Sequence, residues 1–332
     1  MPGGTPALLA VVGVGLLIAA GIVAVLTLRG SGAQQPARSA ALATESGSSG
    51  EPLTTASSAK ARSAKASSAT AGSGIPRPAA SAAPGMQHDP LGAAAASYVS
   101  ARAGVILAAV YDLHTGQTWQ LGQGQPQDAA SVVKLDVLET LLAERGRTGT
   151  ELSASDQSLA EQMIEDSDND AATSLWDEVG GASSIRSFNS AAGLADTAPS
   201  SCLNCPGFPW PGWGLTTTVP RDQLALLRAL VKPNPLLTNA ERSYALALME
   251  NVTPDQRWGV SGGVPAQATV ALKNGWLPLN DADNDWQINS VGWISGSGRD
   301  YLMAVLSTGN PTEQYGIDTI NELAAMVWQD MA

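Results

Sequence analysis

The first 97 positions lack aromatic residues: all nine Trp, five Tyr and two Phe fall from Tyr98 onward. A packed core needs large apolar side chains, so the core of this 332-residue chain must lie in its C-terminal part. That part, roughly 240 residues, suffices for one sizeable core. Basic residues are scarce there: from Asp89 onward 12 Lys/Arg stand against 28 Asp/Glu. Such an acidic globule excludes nucleic acid as a partner, because phosphate contacts need clustered cations. Histidine and cysteine number two each: His88, His114, Cys202 and Cys205. Structural zinc takes four converging ligands, and His88 stands in a stretch without hydrophobic pattern, so no metal is expected. Cys202-Leu203-Asn204-Cys205 can close a small disulfide in an exported domain; the alternative is a redox pair, for which the surrounding thioredoxin-like pattern is missing.

Ala7 to Leu28 is an uncharged, mostly apolar run of 22 residues. That length spans a hydrocarbon core as a helix and exceeds a cleaved signal segment, so an uncleaved membrane anchor is expected over residues 1–29. No Cys closely follows the run, which speaks against lipoprotein processing. The positive-inside rule places Arg29 and the later basic residues in the cytoplasm, and only the terminal amine opposes it. The chemistry described below calls for the opposite orientation. Residues 30–88 are rich in Ala, Ser, Gly and Pro and carry five Lys/Arg against Glu45 and Glu51. They read as a disordered tether with an end-to-end distance on the order of 40 Å. A solvated spacer is expected, with contact to anionic lipid or wall polymer as the alternative.

Residues 89–332 read as one mixed α and β domain. A helix is expected over 91–102, then two strands joined by a turn at His114-Thr115-Gly116. Ala130 to Arg145 carries Val133, Val137, Leu138, Leu141 and Leu142 at helical spacing. Another helix is expected over Ser155 to Met163, loops over 193–220, and three late strands at 268–275, 286–295 and 299–308. A final helix from Tyr315 has Ile317, Ile320, Leu323, Ala324, Val327 and Met331 on one stripe. The fold class is therefore α+β (α/β): an antiparallel sheet of about five strands flanked by N- and C-terminal helices, with helices between.

Chemistry enters at Ser131-Val132-Val133-Lys134. A helix starting near Ala130 puts Ser131 and Lys134 on one face, beside the N–H groups and partial positive charge of its N-terminus. A Lys near a second cation and partly desolvated can lose its proton and act as a base. An isolated tetrad of this kind is equally a cap Ser plus a surface Lys. Two further motifs follow in order, however: Ser167-Asp168-Asn169, then Lys273-Asn274-Gly275 at the end of an expected strand.

With these three motifs, residues 90–332 resemble the class A β-lactamase and penicillin-binding serine hydrolases, marked by S-x-x-K, S-D-N and K-T-G. The resemblance implies that Ser131 attacks an acyl carbonyl and Lys134 takes its proton. Ser167 and Lys273 would pass a proton to the leaving amine, and Lys273 would attract a substrate carboxylate. Asn169, Asn274, Gly275 and Trp276 would bind substrate, with the N–H groups of Ser131 and Trp276 as oxyanion hole. Asp168 serves either the turn or the site. The substrate would be a β-lactam or a peptidoglycan-type amide, with no cofactor, acting outside the cell from a single-pass anchor.

Three departures qualify the resemblance. Asn274 replaces the family's Thr. The first and second motifs lie closer together than in typical β-lactamases, which shortens the helical subdomain. The family's E-x-x-L-N pattern falls on Leu203-Asn204 with Ser200 in place of the Glu, and no Glu occurs between Glu178 and Glu241. A missing base removes roughly two to four decades from water attack on an acyl-enzyme, so slow deacylation is expected. Trp210 and Trp213 either line a substrate groove or pack over a small core. Gly259-Val260-Ser261-Gly262-Gly263 fits a nucleophile-elbow pattern in letters, but loop and strand follow it and no His lies downstream. The competing reading is a catalytically silent module that keeps the fold and binds cell-wall ligands.

Overall fold

The computed structural model describes residues 88–203, 205, 212–280 and 285–331. The expected anchor at 7–28, the tether up to residue 87, Asn204 and Trp210 lie outside them. Among the described residues no helix is long and apolar enough to cross a membrane.

A short helix α1 (Ala93–Ser100) leads into strands β1 (Val105–Asp112) and β2 (Thr118–Leu121). Their turn is closed by the Asp112 carboxylate, which accepts from His114 N and Thr115 Oγ1, and by Gly116 at φ +76°. A two-residue strand β3 (Gln127–Asp128) and a 3₁₀ turn (Ala130–Val132) precede helix α2 (Val133–Thr148). Helices α3 (Ala154–Glu165), α4 (Asn169–Glu178) and α5 (Gly181–Ala192) follow. After a 3₁₀ turn at Gly212–Leu215 come β4 (Thr217–Thr218), α6 (Pro220–Val231) and α7 (Asn239–Glu250). Three 12-residue strands, β5 (Thr269–Asn280), β6 (Asp285–Gly296) and β7 (Arg299–Asn310), lead to α8 (Glu313–Asp330).

The main sheet is antiparallel in the order β2-β1-β7-β6-β5, the five-stranded sheet that the sequence predicts. Alternation along each strand splits the core in two. Ala109, Ala271, Val291, Leu302 and Ala304 face the helical side, where they meet Leu135, Leu138 and Leu226. Val110, Leu272, Ile288, Met303 and Val305 face α8, whose Ile317, Ile320, Leu323, Ala324 and Val327 form the predicted stripe. Met331 is only partly buried. Strand β5 is the sheet edge beside α2. The β3–β4 pair holds the approach to α2 against the chain entering α6, through Gln127↔Thr218 and Asp128↔Thr217.

Candidate active site

Ser131 lies in the 3₁₀ turn at the head of α2, directly after Ala130, whose φ of +46° is left-handed. A non-glycine residue in that region is strained and persists only where its surroundings hold it. Here β6 supplies the hold: Asn289 Nδ2 donates to Asp128 O and Ala129 O, both at 2.9 Å. Gln287 Nε2 in turn donates to Asn289 Oδ1 at 2.7 Å and Gln127 Oε1 at 3.0 Å. This buried network fixes the backbone entering the turn that carries Ser131. Edge strand β5 closes in from the same side. A Cβ on Gly275 would stand 2.7 Å from Ser131 N and 2.9 Å from Val132 N, so no larger residue fits.

Lys134, one turn into the helix, is fully buried. Its Nζ donates to Ser167 O at 2.6 Å, Asn169 Oδ1 at 2.8 Å and Ser167 Oγ at 3.1 Å. Lys273 is also fully buried, and its Nζ donates to the same Ser167 Oγ at 2.9 Å and to Asn274 O at 3.0 Å. Ser167 itself has φ +57°, a turn conformation that brings hydroxyl and carbonyl to one amine. Asp168 accepts from Ala171 N at 2.7 Å and so caps α4. Burial pulls the Lys134 amine down to about 7, partly offset by the negative charge of Asp168. Burial pushes Lys273 well down as well, aided by the positive charge of Lys134. Two desolvated amines meeting at one hydroxyl, beside a serine at a helix start, form an arrangement able to move a proton from one oxygen to another.

Ser131, Ser167, Asn169, Trp213 and Trp276 border a common cavity of about 210 Å³. Among the described residues bordering it none is acidic. A larger cavity of about 570 Å³, between Tyr111, Arg228 and Lys232, has no serine, cysteine or carboxylate among the described residues that line it, so chemistry rather than size locates the site. Asn274 faces elsewhere: its Nδ2 donates to Gln256 O at 2.7 Å and Trp258 O at 3.0 Å, away from the cavity. Ser200 does not border the cavity; it lines a neighbouring one with Trp176 and Cys202, and its Oγ accepts from Cys202 N. Trp213 touches both, with its ring centroid 5.0 Å from Lys134 Nζ. Cys202 and Cys205 are bonded to each other. Ser261 sits in a turn, its hydroxyl donating to Arg257 O.

Gln287 and Asn289 were not legible as site residues, because polar side chains in a strand give no sign of what they meet across the fold. Asp136 and Glu139 carried a fainter signal: two acids interrupt the apolar run of α2, and both are buried.

The protein-family model described as the beta-lactamase enzyme family matches residues 140–331, a stretch that begins just after Ser131 and Lys134. LppW of Mycobacterium tuberculosis, a protein named as a lipoprotein, is 29% identical over 205 residues. The match takes in 60% of this chain and 62% of LppW, so the chain spans about three fifths of that relative. Among solved structures, the TLA-1 extended-spectrum β-lactamase superposes with a TM-score of 0.64 at 17% identity, over 70% of this chain and 95% of that one. A class A β-lactamase from Bacteroides cellulosilyticus gives 0.60 at 17%, over 70% and 94%. PBP-A, of which a mutant was solved as an acyl-enzyme complex with penicillin G, gives 0.58 at 21%, over 70% and 92%. At these identities the likeness is one of fold.

Proposed function

Because the chain belongs to the beta-lactamase enzyme family, we propose that it is a serine hydrolase acylated at Ser131 by a β-lactam or a peptidoglycan-type amide. One observation carries this reading: Lys134 and Lys273 both donate to Ser167 Oγ, on a cavity that Ser131 borders. Neutral Lys134 takes the Ser131 hydroxyl proton as Oγ attacks the carbonyl, and the N–H groups of Ser131 and Trp276 hold the developing oxyanion. As the C–N bond breaks, Ser167 gives its proton to the leaving nitrogen and regains one through the lysines. Asn169 and Lys273 orient the substrate amide and carboxylate. Asn274 contributes its backbone and the loop it braces, since its side chain is committed to that loop.

Among the described residues none bordering the cavity of Ser131 is a carboxylate that could activate water against the ester, so the acyl-enzyme is long-lived. The domain works outside the cell, tethered by residues 7–28 and the segment after them. LppW is named as a lipoprotein; here the first cysteine is Cys202, so the apolar run rather than a lipidated cysteine supplies the attachment. Intact-mass measurement of the full chain after exposure to penicillin G tests the reading. An adduct of one β-lactam that persists, and is lost in Ser131→Ala, is expected. Rapid nitrocefin turnover would overturn the slow deacylation, and failure to label with any β-lactam or acyl ester would favour a silent wall-binding module.

A further inference from the structure

Trp213 is 4% exposed, held by its own hydrogen bond and by the seat of the residue before it. Its Nε1–H donates to Thr173 Oγ1 at 3.2 Å, and Thr173 donates to Asn169 O at 2.9 Å, which ties the indole to the helix start that holds Lys134. The preceding Gly212 donates to Cys202 O at 2.8 Å. A Cβ at Gly212 would stand 2.5 Å from both Cys202 O and Cys205 Sγ, so the turn is seated against the disulfide without slack. From that seat the ring lies over Lys134, its centroid 5.0 Å from Nζ.

A flat aromatic wall acts on an ammonium in two opposed ways. Its face attracts the cation, which favours the protonated form; its bulk excludes water, which favours the neutral one. The three donors of the Lys134 ammonium already face Ser167 O, Ser167 Oγ and Asn169 Oδ1, which leaves no N–H for the ring. The centroid also stands toward the far part of the roughly 6 Å range over which the attraction acts. Those three bonds favour the ammonium equally with or without the ring, so the ring's own two effects decide its role, and of these water exclusion is the larger.

We infer that Trp213 is a positioning residue for the Ser131 reaction, a dry roof that keeps water from the Lys134 nitrogen and so favours its unprotonated form. The lowering of Lys134 to about 7, with burial as its first cause, agrees with this. The kinetic part of the inference rests on Lys134 being the base of acylation; the protonation part stands without it.

The chain has five lysines, so side-chain NMR with labelled lysine resolves Lys134, identified by the signal lost in Lys134→Arg. Titrated in the full chain, its midpoint is expected to rise by one pH unit or more in Trp213→Ala and to stay in place in Trp213→Phe, which keeps a roof. Trp213→Leu, which retains an apolar side chain in the core, serves if the alanine form does not fold, with a rise again expected. The pH at which Ser131 labelling reaches half its maximal rate should move with the midpoint. A midpoint unchanged or lowered in the folded alanine or leucine form overturns the inference. Absence of labelling in the native chain would sink the proposed function, and the titration would still decide the role of Trp213.

Discussion

Lys134 and Lys273 are buried amines that share one hydroxyl, and burial lowers the proton affinity of both, which is what the proposed base of acylation requires. Acylation should rise about tenfold per pH unit below 7 and level off above it, since only neutral Lys134 accepts a proton. Labelling rates measured from pH 5 to 9 check this. Lys134→Arg, which cannot deprotonate, should lose about two to four decades. A second pair of buried ionisable groups does no evident chemistry. Among the described residues neither carboxylate oxygen of Glu139 nor Oδ1 of Asp136 has a hydrogen-bond partner, and Asn189 Nδ2 alone reaches Asp136 Oδ2. Burial lifts Asp136 to about 7, and burial together with the charge of Asp136 lifts Glu139 well up. A carboxyl raised in the folded state keeps its proton while the unfolded chain has lost it, so it destabilises the fold increasingly as pH climbs above about 4.3. Glu139→Leu should accordingly stabilise by about 1–3 kcal/mol at pH 8 and by less at pH 5, read from denaturant midpoints at the two pH values. At this scale the three motifs were legible because they are short and local. The polar braces from β6 were not, because strand partners across the sheet leave no mark in the spacing.

Elements bring those residues together, and two junctions carry the load. The first is the edge of β5 against the head of α2, where Gly275 leaves room for the Ser131 N–H. Gly275→Ala should push the strand away and lower acylation by about 10²–10³, the usual loss of one oxyanion donor, with the chain still folded by circular dichroism. The second is the start of α4, which Asp168 caps while its charge favours protonated Lys134. Asp168→Asn keeps an equally good cap, so stability should hold within a few tenths of a kcal/mol while the pH profile of labelling moves to lower pH. Asp168→Ala should in addition lose about 1 kcal/mol in thermal or denaturant unfolding. The sequence foretold the long strands, the His114 turn and the last helix, each with a clear period or turn residue. It gave 268–275 for a strand that runs on to Asn280, because Trp276, Leu277 and Pro278 at the cavity rim do not alternate as a half-buried strand does. Helix α5 carries four Ser and starts on Gly181, residues of modest helix propensity, and only Ile185 and Phe188 supply large apolar side chains, so packing of that one stripe rather than local preference secures it.

For the molecule as a whole, the position of β7 governs how the sheet is assembled. It lies between β1 and β6, so Val105 faces Thr308 and Asp112 faces Tyr301 across nearly the whole domain. A chain cut before Arg299 should lack near-ultraviolet dichroism and protease resistance, since β1 and β6 would each lose a central neighbour. Pairings this distant in sequence also form late, because loop closure precedes any gain from contact. A consequence follows for passage across a membrane. While the chain is threaded with β1 leading, the partner that completes the sheet is still on the far side. If the domain is exported as proposed, it therefore remains an open thread until its last strand has crossed, and Ser131 acquires its neighbours only on the side where the chain emerges.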